Sequence, residues 1–492
     1  MTLKDIYATS LTLLTDLYQV TMAYGYWKQG MAEQEAVFHL NFRKNPFGGG
    51  YTVAAGLEYV VHYLEQLQFR PEDLAYLASL KGSQGQPLFE QPFLDYLRDL
   101  RFSCTIDAIP EGTVVFPNEP LVRVRGPLLQ AQLIETPLLT IINFQTLIAT
   151  KAARIKDAVK GDQLMEFGMR RAQGIDGALS ATRASFIGGA DATSNLLAGK
   201  LFSIPVRGTH AHSWVQAFDS EEEAFTAYGE AFPTDSVFLV DTYDTLEGVQ
   251  HAIAVAQKLQ PQGFQFGGIR LDSGDLTYLS VEARKLLDAA GFTNTNIVAS
   301  NDLDEHLITS LKQEGAKINV WGVGTKMVTA YDQPALGGVY KLAAIRKEGG
   351  DWEYRIKLSE RRDKTSNPGL LQVRRFYDGS GTFLADMIYN EAEPLPQKLQ
   401  IVDPLDSTRR KTIAASTPSK ELLVPVFKEG KCVYTLPDLR TIQAKTKEEV
   451  NRLHESIRRY LNPHSYPAGL EGSLHQYKTD LIFKLRQQTP EV

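Results

Sequence analysis

Cysteine is scarce in this chain of 492 residues, which contains only Cys104 and Cys432. Two thiols are too few for a disulfide framework or a zinc site built from cysteines, and this suits a reducing compartment. Residues 1–20 include Asp5 and Asp16 and lack the basic and then apolar pattern of a signal peptide. No apolar run is long enough to cross a bilayer. We therefore expect a cytoplasmic protein that does not bind membranes.

An excess of one charge is also missing. The formal net charge is -6, with 22% charged and 43% hydrophobic residues, which is ordinary for a globular protein. This balance does not favour nucleic acid as a partner, and an anionic small substrate would need a local basic pocket. Beyond residue 347 the sequence is polar and basic, with clusters such as Arg409-Arg410-Lys411. We interpret these clusters as a solvated outer surface.

The length of the chain predicts two or three domains. We place an N-terminal α+β domain at residues 1–127 and an α/β domain at residues 128–346. A polar, basic C-terminal region at residues 347–492 is expected to pack on the other domains. These boundaries follow the change from mixed patterns to regular strand and helix alternation, and then to polar sequence.

The middle region alternates strand and helix patterns with unusual regularity. Its seven short apolar runs lie at residues 164–167, 201–206, 237–240, 269–271, 297–299, 318–323 and 339–345. Repeated βα units give parallel strands joined by right-handed crossovers. A Gly-rich dinucleotide fingerprint does not follow the first run, so the pattern favours an irregular (β/α) barrel.

Polar residues follow six of these runs in succession, at residues 170–171, 208–213, 241–244, 272–275, 300–302 and 322–326. In a barrel, the active site lies at the carboxyl ends of the strands. Arg170, Arg171 and Arg270 could hold a carboxylate or a phosphate through their planar guanidinium groups. A structural ion pair is the alternative for each arginine.

Acidic and glycine residues at the same strand ends suggest a diphosphate site. Asp241, Asp244, Asp272 and Asp275 could hold Mg²⁺ against substrate phosphates, because hard oxygen ligands suit this ion. A helix cap is the alternative for at least one aspartate of each pair. The segment 322–325 can direct backbone N–H groups and a hydroxyl toward a phosphate, although a plain tight turn would look the same.

Two histidines, His210 and His212, lie between the second run and the next helix pattern. An imidazole can transfer a proton, bind a metal or accept a phosphoryl group. Paired metal ligands would indicate a metal-dependent barrel hydrolase, which needs further histidines at later strand ends. His251 and His306 fall within helix patterns, so that metal site would lack ligands. A structural role stays open for either member of the pair.

Seven motifs occur in order along the chain: Leu-Thr-Asp-Leu-Tyr-Gln (14–19), Glu-Gly-Thr (111–113), Phe-Pro-Asn-Glu-Pro (116–120), Phe-Gly-Met-Arg-Arg-Ala (167–172), Gly-Thr-His-Ala-His-Ser (208–213), Leu-Asp-Ser-Gly-Asp (271–275) and Gly-Val-Gly-Thr (322–325). Together they resemble the nicotinate phosphoribosyltransferase family as far as about residue 341. The resemblance implies a type II phosphoribosyltransferase fold, an N-terminal α/β domain on an irregular α/β barrel, usually as a homodimer with active sites near the subunit interface.

The resemblance also implies a reaction. Nicotinate and 5-phosphoribosyl 1-diphosphate would give nicotinate mononucleotide and diphosphate in NAD salvage, coupled to ATP hydrolysis and assisted by Mg²⁺. His212 corresponds to the histidine that family members phosphorylate, and no Walker motif is needed for that step. We expect Asp272 and Asp275 to act in catalysis and Asp241 and Asp244 to bind Mg²⁺.

The remaining site residues divide between the two substrates. The expected nicotinate contacts are Tyr18, Phe167, Arg171, Thr209 and Arg270. Three of them, Tyr18, Thr209 and Arg270, match family positions around nicotinate. The expected contacts of the phosphoribosyl and diphosphate groups are Arg170, Ser300, Asn301, Gly322, Gly324 and Thr325, of which Thr325 matches the family position that holds the phosphoribosyl phosphate.

Nicotinamide phosphoribosyltransferase is the nearest alternative. The resemblance to that family implies Gly-Thr-Asp where this chain has Gly208-Thr209-His210. An aspartate at this position suits an amide better than a carboxylate. His210 together with Arg270 therefore favours nicotinate, with His210 on the substrate side. A catalytically silent binding protein of the same fold is a further alternative, which the intact Tyr18, His212, Arg270 and Thr325 argue against.

Overall fold

The computed structural model describes residues 8–361, 364–414 and 416–487. The strands in chain order are β1 Glu35–Phe42, β2 Thr52–Val53, β3 Thr105–Ala108, β4 Val114–Val115, β5 Val122–Pro127, β6 Gln163–Glu166, β7 Ala192–Thr193, β8 Ser236–Leu239, β9 Phe266–Leu271, β10 Asn296–Ala299, β11 Val320–Val323, β12 Gly338–Arg346, β13 Glu353–Tyr354, β14 Leu371–Tyr377, β15 Phe383–Asn390, β16 Leu399–Val402, β17 Arg410–Ile413, β18 Ser419–Glu421, β19 Val424–Lys428, β20 Lys431–Cys432 and β21 Ala468–Glu471.

The α-helices are Leu17–Lys28, Leu57–Glu65, Pro71–Ser79, Gln91–Asp99, Leu128–Leu133, Glu135–Ala158, Gly174–Ile187, Leu196–Phe202, His212–Gln216, Glu221–Ala231, Thr245–Leu259, Leu276–Ala289, Glu305–Gln313, Thr325–Val328, Leu439–Asn451, Glu455–Arg458 and Gly472–Gln487. Short 3₁₀ turns lie at Pro46–Gly48, Met169–Arg171 and Gln260–Gln262. Among the helices of the described residues, none is long and apolar enough to cross a membrane.

The chain forms two compact units. The first unit consists of the described parts of Met1–Thr146, Ala335–Asp438 and Glu448–Val492, and the second of Leu147–Pro334 and Leu439–Lys447. Both units are therefore discontinuous in sequence. The domain boundaries expected at residues 127 and 346 stay a prediction.

The first unit is built on two large sheets and one small one. A sheet with the strand order β13-β12-β1-β5-β3-β19-β20 is antiparallel throughout. A mixed sheet has the order β17-β16-β21-β15-β14-β18, with one parallel pair, β15 and β21. Strands β2 and β4 pair separately. Alternating apolar residues such as Phe38, Leu40 and Phe42 bury one face of β1 in this unit.

The second unit contains the α/β core predicted from the sequence. Its six strands, in the order β7-β6-β11-β10-β9-β8, pair in parallel and form a curled half-barrel. Five of the predicted apolar runs correspond to β6, β8, β9, β10 and β11. The fold class, an α/β protein with an irregular barrel, is confirmed. Because parallel strands end at one edge, the segments that follow them meet there.

Two of the predicted barrel strands are wrong. The run 339–345 lies in β12, which pairs antiparallel with β1 in the first unit. Periodicity predicts a strand but does not identify its partner. The run 201–206 begins inside the helix Leu196–Phe202, whose N-terminus is capped by the Asn195 side chain. Strand β7 occupies the sheet position instead, and Val206 only forms an isolated bridge to Thr193.

Helix ends in the second unit follow the sequence signals. Ser220 accepts a hydrogen bond from the Glu223 N–H and begins the helix Glu221–Ala231. Gly291 has a φ of +88° directly after the last turn of the helix Leu276–Ala289. A residue with a side chain is strained at such an angle, so glycine suits this helix end.

A buried charge network holds the mixed sheet of the first unit together. The Arg375 side chain is fully buried, and it donates hydrogen bonds to both carboxylate oxygens of Asp386, to Glu449 and to the Val114 carbonyl. Tyr466 donates a further hydrogen bond to Asp386 (2.8 Å). Burial opposes the charge of Arg375, yet the two carboxylates hold the pKa of its guanidinium well above the usual range.

We expect the Arg375→Met variant to lose about 3–5 kcal/mol of unfolding free energy, because Asp386 would remain buried without its partner. The matched control is Arg374→Met, since the neighbouring Arg374 pairs with the partly exposed Glu421. That exposed pair should contribute at most about 1 kcal/mol. Urea unfolding measures both variants, and equal losses would contradict the buried-pair argument.

Candidate active site

Arg270 forms the centre of the polar edge of the parallel sheet. It lies in β9, and its guanidinium donates to Ser300 Oγ (2.7 Å), Thr209 Oγ1 (3.1 Å) and Asp272 Oδ1 (2.8 Å). Its Cζ atom also lies 5.9 Å from the centre of the Phe167 ring. Four segments that are distant in sequence therefore meet at one planar cation.

Asp272 is kept ionised beside this cation. Burial disfavours its charged form, but the hydrogen bond from Ser300 and the positive charge of Arg270 outweigh burial and lower the pKa of the carboxyl. Ser300 is 4% exposed and donates its hydroxyl to Asp272 while accepting from Arg270. A fixed carboxylate and a fixed guanidinium thus lie side by side.

His212 is the accessible histidine of the pair. It begins the helix His212–Gln216, and its side chain is 40% exposed. Its Nδ1 atom lies 3.2 Å from Thr242 Oγ1, and its Nε2 atom lies 3.8 Å from Asp272 Oδ2. The two neighbours fix the orientation of the ring and leave it open to solvent, as a nucleophile requires.

His210 is buried, and the substrate-side position expected for it stays a prediction. Its Nε2 atom accepts the Leu239 N–H (3.2 Å), and its Nδ1 atom lies 3.3 Å from the Ala211 carbonyl. The ring also packs edge-to-face on Tyr228 at 4.8 Å. Burial lowers the pKa of His210 to about 4, and the charges of Arg270 and His212 act in the same direction. This neutral imidazole ties the loop to the end of β8.

The aspartates of each predicted pair have different roles. Asp244 accepts the N–H groups of Leu246 and Glu247 and caps the helix Thr245–Leu259. Asp275 accepts the Tyr278 N–H and caps the helix Leu276–Ala289. Capping is therefore realised for one aspartate of each pair, and the two others, Asp241 and Asp272, face the centre of the site.

One carboxylate oxygen of Asp241 has no hydrogen-bond partner among the described residues. Its Oδ2 atom accepts the Asp272 N–H (3.0 Å) and the Ser273 hydroxyl (2.6 Å). Its Oδ1 atom is buried and has no hydrogen-bond partner in the structure. Within the described ranges, no group of three or more His, Cys, Asp or Glu residues could hold a metal ion by itself. A lone carboxylate oxygen fits Mg²⁺, which usually shares its ligands between one or two carboxylates, water and substrate phosphates.

Gly322 and Gly324 support the site by packing. The Phe167 ring lies against Gly322, where an added Cβ would come within 2.6 Å of it. A Cβ added at Gly324 would come within 3.1 Å of the Phe167 carbonyl oxygen. Thr325 begins the short helix Thr325–Val328 directly afterwards. The glycines thus let β6 and β11 carry an aromatic ring to the edge of the sheet.

Three of the predicted contacts in the second unit make no hydrogen bond within this cluster. Arg170 and Arg171 are exposed and form no ion pair with any described residue. Asn301 follows Ser300 with a φ of +126°, a strained value for a residue with a side chain. Tyr18 belongs to the first unit, at the start of the helix Leu17–Lys28, and is 49% exposed.

Sequence reasoning missed Glu166, the last residue of β6. Its side chain is 1% exposed, and it accepts hydrogen bonds from the Gly168 N–H, from Thr182 Oγ1 (2.8 Å) and from Thr193 Oγ1 (2.6 Å). It therefore holds β7 and the loop that carries Phe167. The available signal was a carboxylate within an apolar strand, because such a group must find buried donors.

A second missed cluster lies in the first unit. A small pocket is lined by Arg43, Lys341 and Lys364, with no carboxylate among its lining residues. His39 is 4% exposed, accepts the Leu371 N–H through Nε2, and has no described partner at Nδ1. The pocket therefore gathers three cationic side chains without a carboxylate among its lining residues. The signal was the alternation of His39 and Asn41 along one face of β1, continued by Arg43 directly after the strand.

Comparison with known proteins agrees with the geometry. Family models match the chain at residues 13–143 (nicotinate phosphoribosyltransferase N-terminal domain), residues 163–355 (nicotinate phosphoribosyltransferase family) and residues 371–478 (nicotinate phosphoribosyltransferase C-terminal domain). The chain belongs to the nicotinate phosphoribosyltransferase family. The third match extends the family to the C-terminal region, where the sequence motifs are absent.

Relatives of this family cover nearly the whole chain. A nicotinate phosphoribosyltransferase of Bacillus subtilis is 46% identical over 488 residues, which covers 98% of this chain and 97% of that protein. One of Homo sapiens is 37% identical, with 95% and 96% covered. The crystal structure of human nicotinic acid phosphoribosyltransferase matches with a TM-score of 0.82 at 35% identity, covering 95% of this chain and 99% of that one.

The buried state of His210 predicts a pH dependence of stability. The pKa is lowered from 6.5 to about 4 in the folded chain, so the unfolded chain alone takes up this proton as the pH falls below 6.5. Unfolding free energy should therefore fall by about 2 kcal/mol between pH 7 and pH 5 through this group. In His210→Gln that part of the loss should disappear.

The control for this measurement is His62→Gln, which removes an exposed histidine of the helix Leu57–Glu65. It should retain the full pH dependence in urea unfolding at the two pH values. If His210→Gln loses as much stability as the unmodified chain on acidification, the imidazole is not held neutral by the fold.

Proposed function

We propose that this chain transfers the phosphoribosyl group of 5-phosphoribosyl 1-diphosphate to nicotinate, with ATP hydrolysis coupled to the transfer. The products are nicotinate mononucleotide and diphosphate, and the step belongs to NAD salvage. One observation carries the proposal beyond family membership. The guanidinium of Arg270 is fixed at three points beside the ionised Asp272 and the exposed His212.

Arg270 supplies the charge that recognises the acid. A guanidinium held in one plane suits a carboxylate, whose two oxygens can accept paired hydrogen bonds, while an amide offers one oxygen acceptor and no negative charge. Because His210 is turned away into the protein, the preference for nicotinate over nicotinamide rests on Arg270 and its neighbours Thr209 and Phe167. Nicotinamide as the acceptor is the alternative.

Asp272 supplies the opposite charge. As the C1′–O bond to diphosphate breaks and the pyridine nitrogen attacks, positive charge develops on the ribose. A carboxylate that is already ionised and oriented by Ser300 stabilises this charge without reorganisation. Both substrates are held in register by groups at the same sheet edge, which lowers the entropic part of the barrier.

His212 is proposed to couple ATP to this reaction. One ring nitrogen attacks the γ-phosphorus of ATP, a P–N bond forms, and the P–O bond to ADP breaks. The resulting phosphohistidine brings negative charge to within reach of Asp272 and the diphosphate position. That charge would reorganise the site for tighter substrate binding, and hydrolysis of the P–N bond would reset it.

Mg²⁺ is proposed to be held by the unpartnered Oδ1 atom of Asp241 and by substrate phosphates. Asp244 stays a proposed second ligand through Oδ2, because its Oδ1 atom accepts the two backbone hydrogen bonds of the helix cap. When bound, the ion would offset the negative charge of the departing diphosphate. Asp275 is proposed to act through the helix it caps, beside Asp272.

The remaining assignments are proposals of the same kind. Tyr18, Phe167, Arg171 and Thr209 are assigned to nicotinate. Arg170, Ser300, Asn301, Gly322, Gly324 and Thr325 are assigned to the phosphoribosyl and diphosphate groups. A homodimer, a cytoplasmic location and the absence of a nucleic-acid partner complete the proposal.

Product analysis tests the reaction directly. With nicotinate and 5-phosphoribosyl 1-diphosphate, we expect nicotinate mononucleotide in chromatography, and ATP should increase its rate of formation. Parallel assays with nicotinamide should give a lower kcat/KM, by roughly a hundredfold or more, because the amide cannot pair with Arg270. A preference for nicotinamide would overturn the assignment of the acid.

The His212→Ala variant tests the coupling to ATP. We expect it to lose both ATP stimulation and covalent labelling by ATP labelled at the γ-phosphate, because the accepting nitrogen is absent. His62→Ala, which removes an exposed histidine of the first unit, should keep both. Undiminished labelling of His212→Ala would remove this histidine from the mechanism.

A further inference from the structure

The cluster Arg409-Arg410-Lys411, which the proposed reaction does not use, lines a cleft in the first unit. The cleft has a volume of about 650 Å³ and lies between β17 and the chain before β21, with Arg459 and His464 on that second side. All its lining residues belong to the first unit. A volume of this size is that of a small-molecule site. We refer to it as the basic cleft.

The charges of the basic cleft are not balanced. Four cationic side chains and one imidazole line it, against one carboxylate, Asp403. The Oδ1 atom of Asp403 accepts the N–H groups of Leu405 (2.8 Å) and Asp406 (3.2 Å), so this carboxylate shapes a turn. Excess positive charge in a concave site raises the local concentration of anions.

Backbone groups hold the cations in place. Arg410 Nε donates to the Ser407 carbonyl (2.9 Å), and Lys411 Nζ donates to the Leu384 carbonyl (2.7 Å). Burial lowers the pKa of Lys411, which has no carboxylate partner among the described residues. Arg459 forms no ion pair with any described residue. Arg409 pairs with Asp406 (3.4 Å), so the cations of the cleft without a carboxylate partner among the described residues are Arg410, Lys411 and Arg459.

The wall of the basic cleft is rigid. Tyr466 is 9% exposed, its ring stacks on Phe116 with centres 3.9 Å apart, and its hydroxyl donates to the buried Asp386. Asp386 in turn is held by Arg375. The segment that carries Arg459 and His464 is therefore anchored in the core, and the cleft exists before a ligand arrives.

We propose that the basic cleft binds the phosphate chain of a nucleoside di- or triphosphate. Cations on two facing segments can contact successive phosphates, and each guanidinium can form paired hydrogen bonds to phosphate oxygens. A nucleic acid is disfavoured, because the chain carries a net charge of -6 and these cations line a concave site instead of an extended surface. The site goes beyond the proposed reaction.

Equilibrium dialysis of labelled ATP against the full chain tests the proposal. We expect two bound equivalents per chain, one at the site of the second unit and one in the basic cleft. In the double variant Arg409→Ala and Arg459→Ala, the affinity of one equivalent should fall at least about tenfold. Both residues are exposed, so folding should be preserved.

The matched control is Lys428→Ala with Lys431→Ala, which removes the same charge from an exposed hairpin outside the cleft. It should bind ATP like the unmodified chain. Inorganic triphosphate should displace ATP from the cleft, and orthophosphate should displace it far less. If orthophosphate displaces ATP as well as triphosphate does, recognition of a phosphate chain is wrong.

Two further outcomes would overturn the proposal. Unchanged ATP binding by the double variant would show that the cleft is not the site. The second outcome is that the cleft does not bind ATP but the chain binds a single-stranded RNA, and the double variant loses this RNA binding. The ligand of the cleft would then be a nucleic acid and not a small molecule. If only the proposed reaction is wrong, the ATP site of the second unit is absent and the basic cleft remains. The unmodified chain then binds one equivalent of ATP, and the double variant binds none tightly.

Discussion

The candidate active site depends on the three hydrogen bonds of the Arg270 guanidinium. Parallel pairing places Arg270 opposite Val298, so Ser300 emerges beside Asp272 two positions further along both strands. Thr209 completes the third bond from a loop 61 positions away. The planar guanidinium bonds three partners and keeps two further N–H donors in the same plane, whereas the three donors of a lysine ammonium would all be used.

Burial separates two histidines that are two positions apart in sequence. His210 is drawn under the loop, where desolvation keeps it neutral and its ring nitrogens face backbone groups. His212 begins a helix and stays open beside Thr242 and Asp272. The aspartates differ in a similar way, because Oδ1 of Asp244 accepts the N–H groups of a helix cap while Oδ1 of Asp241 is buried without a partner. Burial and hydrogen bonding thus give different roles to residues of the same type.

Much of the fold could be predicted from periodicity and helix signals. Short apolar runs identified five strands of the parallel sheet, and Ser220 and Gly291 marked helix ends correctly. The errors share one cause. The run 339–345 forms a strand whose partner, β1, lies near the N-terminus of the chain, and the run 201–206 begins in a helix capped by Asn195. A local sequence pattern does not identify the strand with which another strand pairs, and it does not show how strongly an N-terminal cap stabilises a helix.

By itself, the sequence determined the family, through motifs in a fixed order, and it narrowed the chemistry to a few arginines, aspartates and histidines at strand ends. Only the tertiary structure decided which of them face the site, because the deciding hydrogen bonds and burial join residues far apart in the chain. Glu166 and the basic cleft show the same limit. A buried carboxylate and an arginine cluster have a meaning only when their neighbours are known.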